Sequence, residues 1–182
     1  MKNWDTTLVT AEYNTLREEI LKRVETRYQL LSLSVTALGA LLAFGSETKN
    51  AALILLYPVL ALCLAISWLS NSHDIWNLSD YIIDIEDKVG PENLHWEGYR
   101  NSAEQMTRAA KVLSVGSKGI FVITELLALL IGIIVAITQP QFNNVTVVIT
   151  CGCFSVVSTI TTIILLIFYR RPEIKRLTRH LT

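Results

Sequence analysis

Four apolar stretches, at residues 29–45, 51–70, 119–138 and 146–168, constrain this 182-residue chain more than any other feature. A helix rising 1.5 Å per residue needs about 20 residues to cross a hydrocarbon layer about 30 Å thick, and each stretch reaches or approaches that length. With 51% hydrophobic residues, 18% charged and a mean hydropathy of +0.41, the composition excludes an ordinary soluble domain. The first stretch, "QLLSLSVTALGALLAFG", is the shortest and carries several hydroxyls; Tyr28 and Phe44 mark its two ends as interfacial aromatics. The expected fold is an all-α membrane protein: four transmembrane helices whose helical extensions form a cytosolic stalk.

The basic residues give that fold a direction. Five Lys/Arg precede the first stretch, one lies in the turn at 46–50, five lie between the second and third, none lies in "QPQFNN", and five follow residue 168. The positive-inside rule then places both termini and the middle segment in the cytosol and leaves two short turns outside. The first 28 residues balance five basic against five acidic side chains and do not read as a secretory signal. Asn77 and Asn144 begin Asn-x-Ser/Thr triplets, one predicted cytosolic and one against the membrane, and both read as chance. The expected home is a bacterial inner membrane.

Apolar residues step by three and four outside the spans as well. Val9, Tyr13, Leu16, Ile20, Val24 and Tyr28 make residues 1–28 an amphipathic helix that feeds the first span. Residues 71–118 read as a helical hairpin: Ile75, Leu78, Ile82, Ile85 and Val89 form the outgoing stripe, Gly90 and Pro91 the turn, and Trp96, Tyr99, Ala103, Met106, Ala110 and Leu113 the returning stripe. The tail at 169–182, "RRPEIKRLTRHL" with flanking residues, sets Ile174, Leu177 and Leu181 among five basic residues. It reads as a short interfacial helix on anionic lipid, or as a polyanion site.

Within the third stretch stands Glu125, about 10 Å inward from Lys118 at 1.5 Å per residue. A charge at that depth costs at least about 2.5–3.5 kcal/mol on insertion scales, so the carboxyl should face protein or water rather than lipid. Lys111, Lys118, Glu125 and Gly132 are spaced by sevens, and Ala128, Gly132 and Ala136 form a small-xxx-small series beside them. The fourth stretch puts Cys151, Ser155, Ser158, Thr159 and Thr162 on one face. Two readings stay open. The hydroxyls and Glu125 are satisfied inside the bundle, with the acid protonated or paired; or Glu125, Lys118, Gly132, Ser155, Ser158, Thr159 and Thr162 line a water-filled path, with Glu125 repeated in a cation-selecting ring. Four helices leave little room for a pore, so the second reading calls for a cyclic homo-oligomer, a tetramer being one option.

Enzyme chemistry finds little support. His73, Asp74, Asp80 and Asp84 cluster where the second span ends, but no HExxH, P-loop, GxSxG or paired-cysteine motif is present, and the three cysteines lie inside spans. No cofactor or metal is expected, and His95 and His180 stand alone. A polyanion site has more behind it: Arg100, Arg108 and Lys111 share a broad side of the returning helix with Lys118, and Trp96 and Tyr99 stand near its tip. Glu104 interrupts that stripe, and the middle segment carries eight acids against five bases. A non-conducting anchor that presents the stalk to a protein partner is the rival to the channel.

The run "AEYNTLREEILKRVETRYQLLSLSVTALGALLAFG", residues 11–45, resembles the opening of small bacterial four-span membrane proteins in which such a helix feeds a small-residue-rich first span. The layout is similar to short multi-span effectors of anti-phage defence operons, the Hailong-type membrane effector among them. That resemblance implies an oligomeric channel whose cytosolic helices bind an oligonucleotide made by a partner nucleotidyltransferase, and whose opening depolarises an infected cell. It brings no catalytic residues.

Overall fold

The computed structural model describes residues 6–89, 108–140 and 143–169. These form helices: α1 (Thr6–Glu47), α2 (Ala51–Leu55), α3 (Tyr57–Val89), α4 (Arg108–Thr138) and α5 (Val145–Phe168). There is no strand among the described residues. Four helical rods, with α2 and α3 running on as one, are long and apolar enough to cross a membrane. The chain is a multi-pass, all-α membrane protein.

The first span is not a separate piece. α1 runs unbroken for 42 residues, because the amphipathic segment contains no proline or glycine and hands its helix directly to the apolar one. Its end is set by a turn: Lys49 adopts a left-handed φ of 56°, Asn50 N–H donates to Gly45 O at 2.9 Å, and the Asn50 side chain caps α2 by accepting from Ala52 N–H. A Cβ on Gly45 would stand 2.4 Å from Ile54 Cγ1, so the turn closes only with glycine there.

The second span differs from the expected single helix over 51–70, since its ladder is interrupted at Leu56. Pro58 is the physical reason, because it has no N–H to give the carbonyl of Ile54. Carbonyls beside the interruption take side-chain donors from α5 instead. Ser155 Oγ donates to Leu55 O, and Ser158 Oγ donates to Pro58 O at 2.8 Å. Broken helices persist in membranes only where neighbours satisfy the backbone in this way.

The core forms three layers. Nearest the hairpin turns, Leu38, Ile54, Tyr57, Ala61 and Ala128 pack together, and Gly132 lets α4 approach α2 so closely that a Cβ would sit 2.7 Å from Leu55 Cδ2. The middle layer joins Ala65, Trp68, Leu69, Phe121 and Leu166. The third lies beyond the spans, where Ile20, Ile75 and Ile82 meet Tyr13, Leu16, Val24 and Leu78. The stripes predicted for residues 1–28 and 71–89 thus pack against each other, α1 on α3. The returning half of the expected hairpin, 90–107, lies outside the described residues. By contrast, Leu126, Leu130, Ile133, Phe154, Ile160 and Ile164 point outward, as an apolar solvent requires.

Candidate functional site

Polar groups occur at three levels of the bundle, each built from different helices. At the turn end Asn143 ties the two hairpin turns together. Its Oδ1 accepts from Ala51 N–H at 2.8 Å, and its Nδ2 donates to Lys49 O at 3.2 Å and Gln139 O at 2.7 Å. All three partners are backbone atoms that a helix end or turn would otherwise leave unmet.

The middle level is the most enclosed. Ser34 and Tyr57 share a hydrogen bond of 2.8 Å, the Tyr57 hydroxyl donates to Thr124 Oγ1 at 2.9 Å, and Thr124 donates on to Ile120 O. Beside this chain lies Glu125, 0% exposed, whose Oε1 accepts from Thr162 Oγ1 at 2.8 Å. Thr159, one turn before Thr162, borders the same carboxyl. Glu125 Oε2 and Thr159 Oγ1 are both buried and have no hydrogen-bond partner.

At the extension end a collar joins the helices. Lys118 Nζ donates to Leu166 O and Tyr169 O, both at 3.1 Å, placing a cation on the last carbonyls of α5 where the helix dipole favours it. Tyr169 stacks on Trp76 with centroids 5.2 Å apart, and its hydroxyl donates to Leu69 O at 2.8 Å. Burial pushes the Tyr169 phenol above its ordinary titration range; Asp74 adds to the shift and Arg27 opposes it. Arg27 lies over Trp68 at 4.7 Å, and Arg23 bridges Glu19 and Asp74 at 2.9 and 2.6 Å. Farther out, Glu86 is 1% exposed and accepts from Tyr13 at 3.3 Å.

The fate of the pore-lining candidates is therefore uniform in one respect. Glu125, Gly132, Ser155, Ser158, Thr159 and Thr162 are buried inside the protomer, and Lys118 is turned onto α5 at the collar. A ring of Glu125 around an axis between subunits needs a carboxyl on the protomer surface, whereas this one faces α5. Among the polyanion candidates, Trp96, Tyr99 and Arg100 lie outside the described residues, as do the side chains of Arg108 and Lys111. The clustered acids divide: Asp74 pairs with Arg23, while His73 and Asp84 are exposed. No grouping of three metal-ligating side chains occurs among the described residues.

One surface went unremarked in the sequence. Down the outer face of α1 run Thr7, Ala11, Asn14, Glu18, Lys22, Glu25, Gln29, Ser32, Thr36, Ala40, Ala43 and Glu47, every one exposed. At 100° per residue they stay within roughly 40° of one line along the helix. None is a large apolar residue. Steps of three and four among small and polar side chains were the available signal, masked by the leucines and valines that flank the line.

No family model, no curated protein and no solved structure matches the chain.

Proposed function

We propose that the chain is a subunit of an oligomeric membrane channel whose water-filled wall is the exposed face of α1. The observation that carries this reading is the continuous small and polar line from Thr7 to Glu47. Lipid-exposed helix faces in the same protomer are walled with Ile, Leu, Val and Phe, as on α4 and α5. A membrane-crossing face without large apolar side chains is costly against lipid and belongs against water or another helix. The hydroxyl of Thr36 already bonds Ser32 O at 2.9 Å, which leaves the line smooth and weakly polar, as a conducting wall needs. Three acids, Glu18, Glu25 and Glu47, against Lys22 favour cations at its mouths. The packed interior of one protomer leaves the conduit to be made by several copies about an axis. On the charge count both termini are cytosolic, in a bacterial inner membrane, and the paired α1–α3 extension is the part through which a ligand or partner would control opening.

Thiol blocking tests this directly. Cys63, Cys151 and Cys153 are first replaced by alanine, then single cysteines are placed at Thr36 and Ala40 on the line, and at Leu130 and Ile160 on lipid-facing surfaces. A membrane-impermeant thiol reagent should abolish ion flux into liposomes for the first pair and leave the second pair unaffected. Flux insensitive at Thr36 and Ala40 would remove α1 from the wall. A defined oligomer that carries no flux would leave a membrane anchor.

A further inference from the structure

Most threonine hydroxyls in these spans share one habit, from which Thr159 and Thr162 depart. Thr36, Thr124, Thr138, Thr150 and Thr161 each donate to the carbonyl four residues back, the usual way a hydroxyl is satisfied in a membrane helix. Thr162 instead donates across to Glu125 Oε1, and Thr159 Oγ1 has no partner although it is only 4% exposed. The second oxygen of the same carboxyl, Glu125 Oε2, is likewise buried and unpartnered. Two helices thus bring two unmet oxygen atoms to one enclosed place. The Thr159 hydroxyl can turn its own hydrogen toward Oε2, but neutral hydroxyls do not cancel the charge of an enclosed carboxylate; that takes a proton or a cation.

The sequence removes the ion-pair solution. No Lys, Arg or His occurs in residues 28–48 of α1, 51–72 of α2 and α3, 119–138 of α4 or 145–168 of α5. Neither is there another acid in any of those spans apart from Glu47 at the turn end of α1. The Tyr57 phenol is engaged with Ser34 and Thr124. Lys118, the nearest base on the same helix, lies about 10 Å away along the axis and is held by the carbonyls of Leu166 and Tyr169. An ionised carboxylate at 0% exposure that faced only the neutral hydroxyls of Thr159 and Thr162 would keep its charge uncompensated.

We propose that Glu125 and Thr159 form an intramembrane proton-binding site. The neutral carboxyl carries its proton on Oε2 and donates it to Thr159 Oγ1, while Oε1 accepts from Thr162. The proton is taken up from water and no bond other than O–H is made. So filled, the site closes α4 onto α5 with two hydrogen bonds; emptied, it leaves a bare charge between them. The inference does not depend on where the conduit lies, because it concerns the interior of one protomer.

Infrared spectroscopy of the full chain in phosphatidylcholine vesicles at neutral pH reads the site without reference to flux. Wild type should show the carbonyl stretch of a protonated carboxyl within the membrane, absent in Glu125→Gln. Thr159→Val, which is isosteric and lacks only the hydroxyl, should keep that band and move it to higher frequency. A hydrophobic carbodiimide, which adds to protonated carboxyls, should give one adduct per chain in wild type and none in Glu125→Gln, equally in sodium chloride and in choline chloride. An ionised Glu125 in wild type, a band unmoved by Thr159→Val, or protection from the carbodiimide by sodium would each overturn the assignment, the last in favour of a metal cation.

Discussion

Asn143 and Gly132 show how single residues hold the bundle shut at its turn end. Asn143→Ala removes three hydrogen bonds and leaves backbone groups unmet, one of them in the buried Ala51. Its cost should be about 1–3 kcal/mol, seen as a lowered melting temperature of the detergent-solubilised protein. Gly132→Leu forces bulk against Leu55 where a lone Cβ already stands at 2.7 Å, and overpacking of this kind costs about 1–3 kcal/mol. The sequence shows a small-residue face at Ala128 and Gly132 but not its partner, since helical periodicity fixes which residues share a face and not which neighbour that face meets. For the same reason the depth of Glu125 predicted an inward carboxyl, while its contact with Thr162 required the rotation of α5. Asn143 gave no signal at all: two of its three partners are 92 and 94 residues away and belong to the other turn.

Elements pair here through stripes that a reader of the sequence can follow, with one exception that turns on Pro58. Ile75 and Ile82 fall on the stripe expected of α3, and Ile20 and Leu16 on that of α1. A proline eight residues into the second span announces an interrupted ladder, yet the donors that make it tolerable, Ser155 and Ser158, stand 100 residues further on. Replacing both serines by alanine should weaken the hold of α5 on α2 and α3 by about 0.6 kcal/mol per bond and at most about 1.7, the average and the maximum for such bonds between membrane helices. Thermal unfolding of single and double variants would measure it. The collar adds a pH dependence at the other end of α5. Tyr169 must keep its proton to donate to Leu69 O, and its phenol titrates above the ordinary value near 10. Its contribution is therefore complete below that ordinary value and is lost as the pH climbs through the raised one. Tyr169→Phe should abolish this alkaline step in a melting-temperature profile and leave the neutral region parallel to wild type.

The molecule has one face unlike the others, the line along α1, and the proposed channel stands or falls with it. Gly39 borders that line with nothing within 4 Å of a Cβ built there, so Gly39→Leu should leave the melting temperature of the protomer nearly unchanged. In an assembly whose wall is α1, the same leucine narrows the conduit; flux into liposomes should drop at least tenfold while light scattering reports an unaltered subunit number. Removing acids from the mouths, as Glu18→Gln with Glu25→Gln, should lower the preference for cations over anions without blocking flux. The continuity of α1 has a mechanical consequence too. A rod of 42 residues is about 63 Å long, and one end of it is gripped through Lys49 O by the Asn143 amide. With that grip as fulcrum, a tilt of about 5° displaces the far tip by about 5 Å and the middle of the bilayer by roughly a quarter of that. In the proposed channel the helix, carried with α3 along its extension, is a lever: a partner that pushes on the Thr6 end would need no relay of side chains to widen or close the passage beside it.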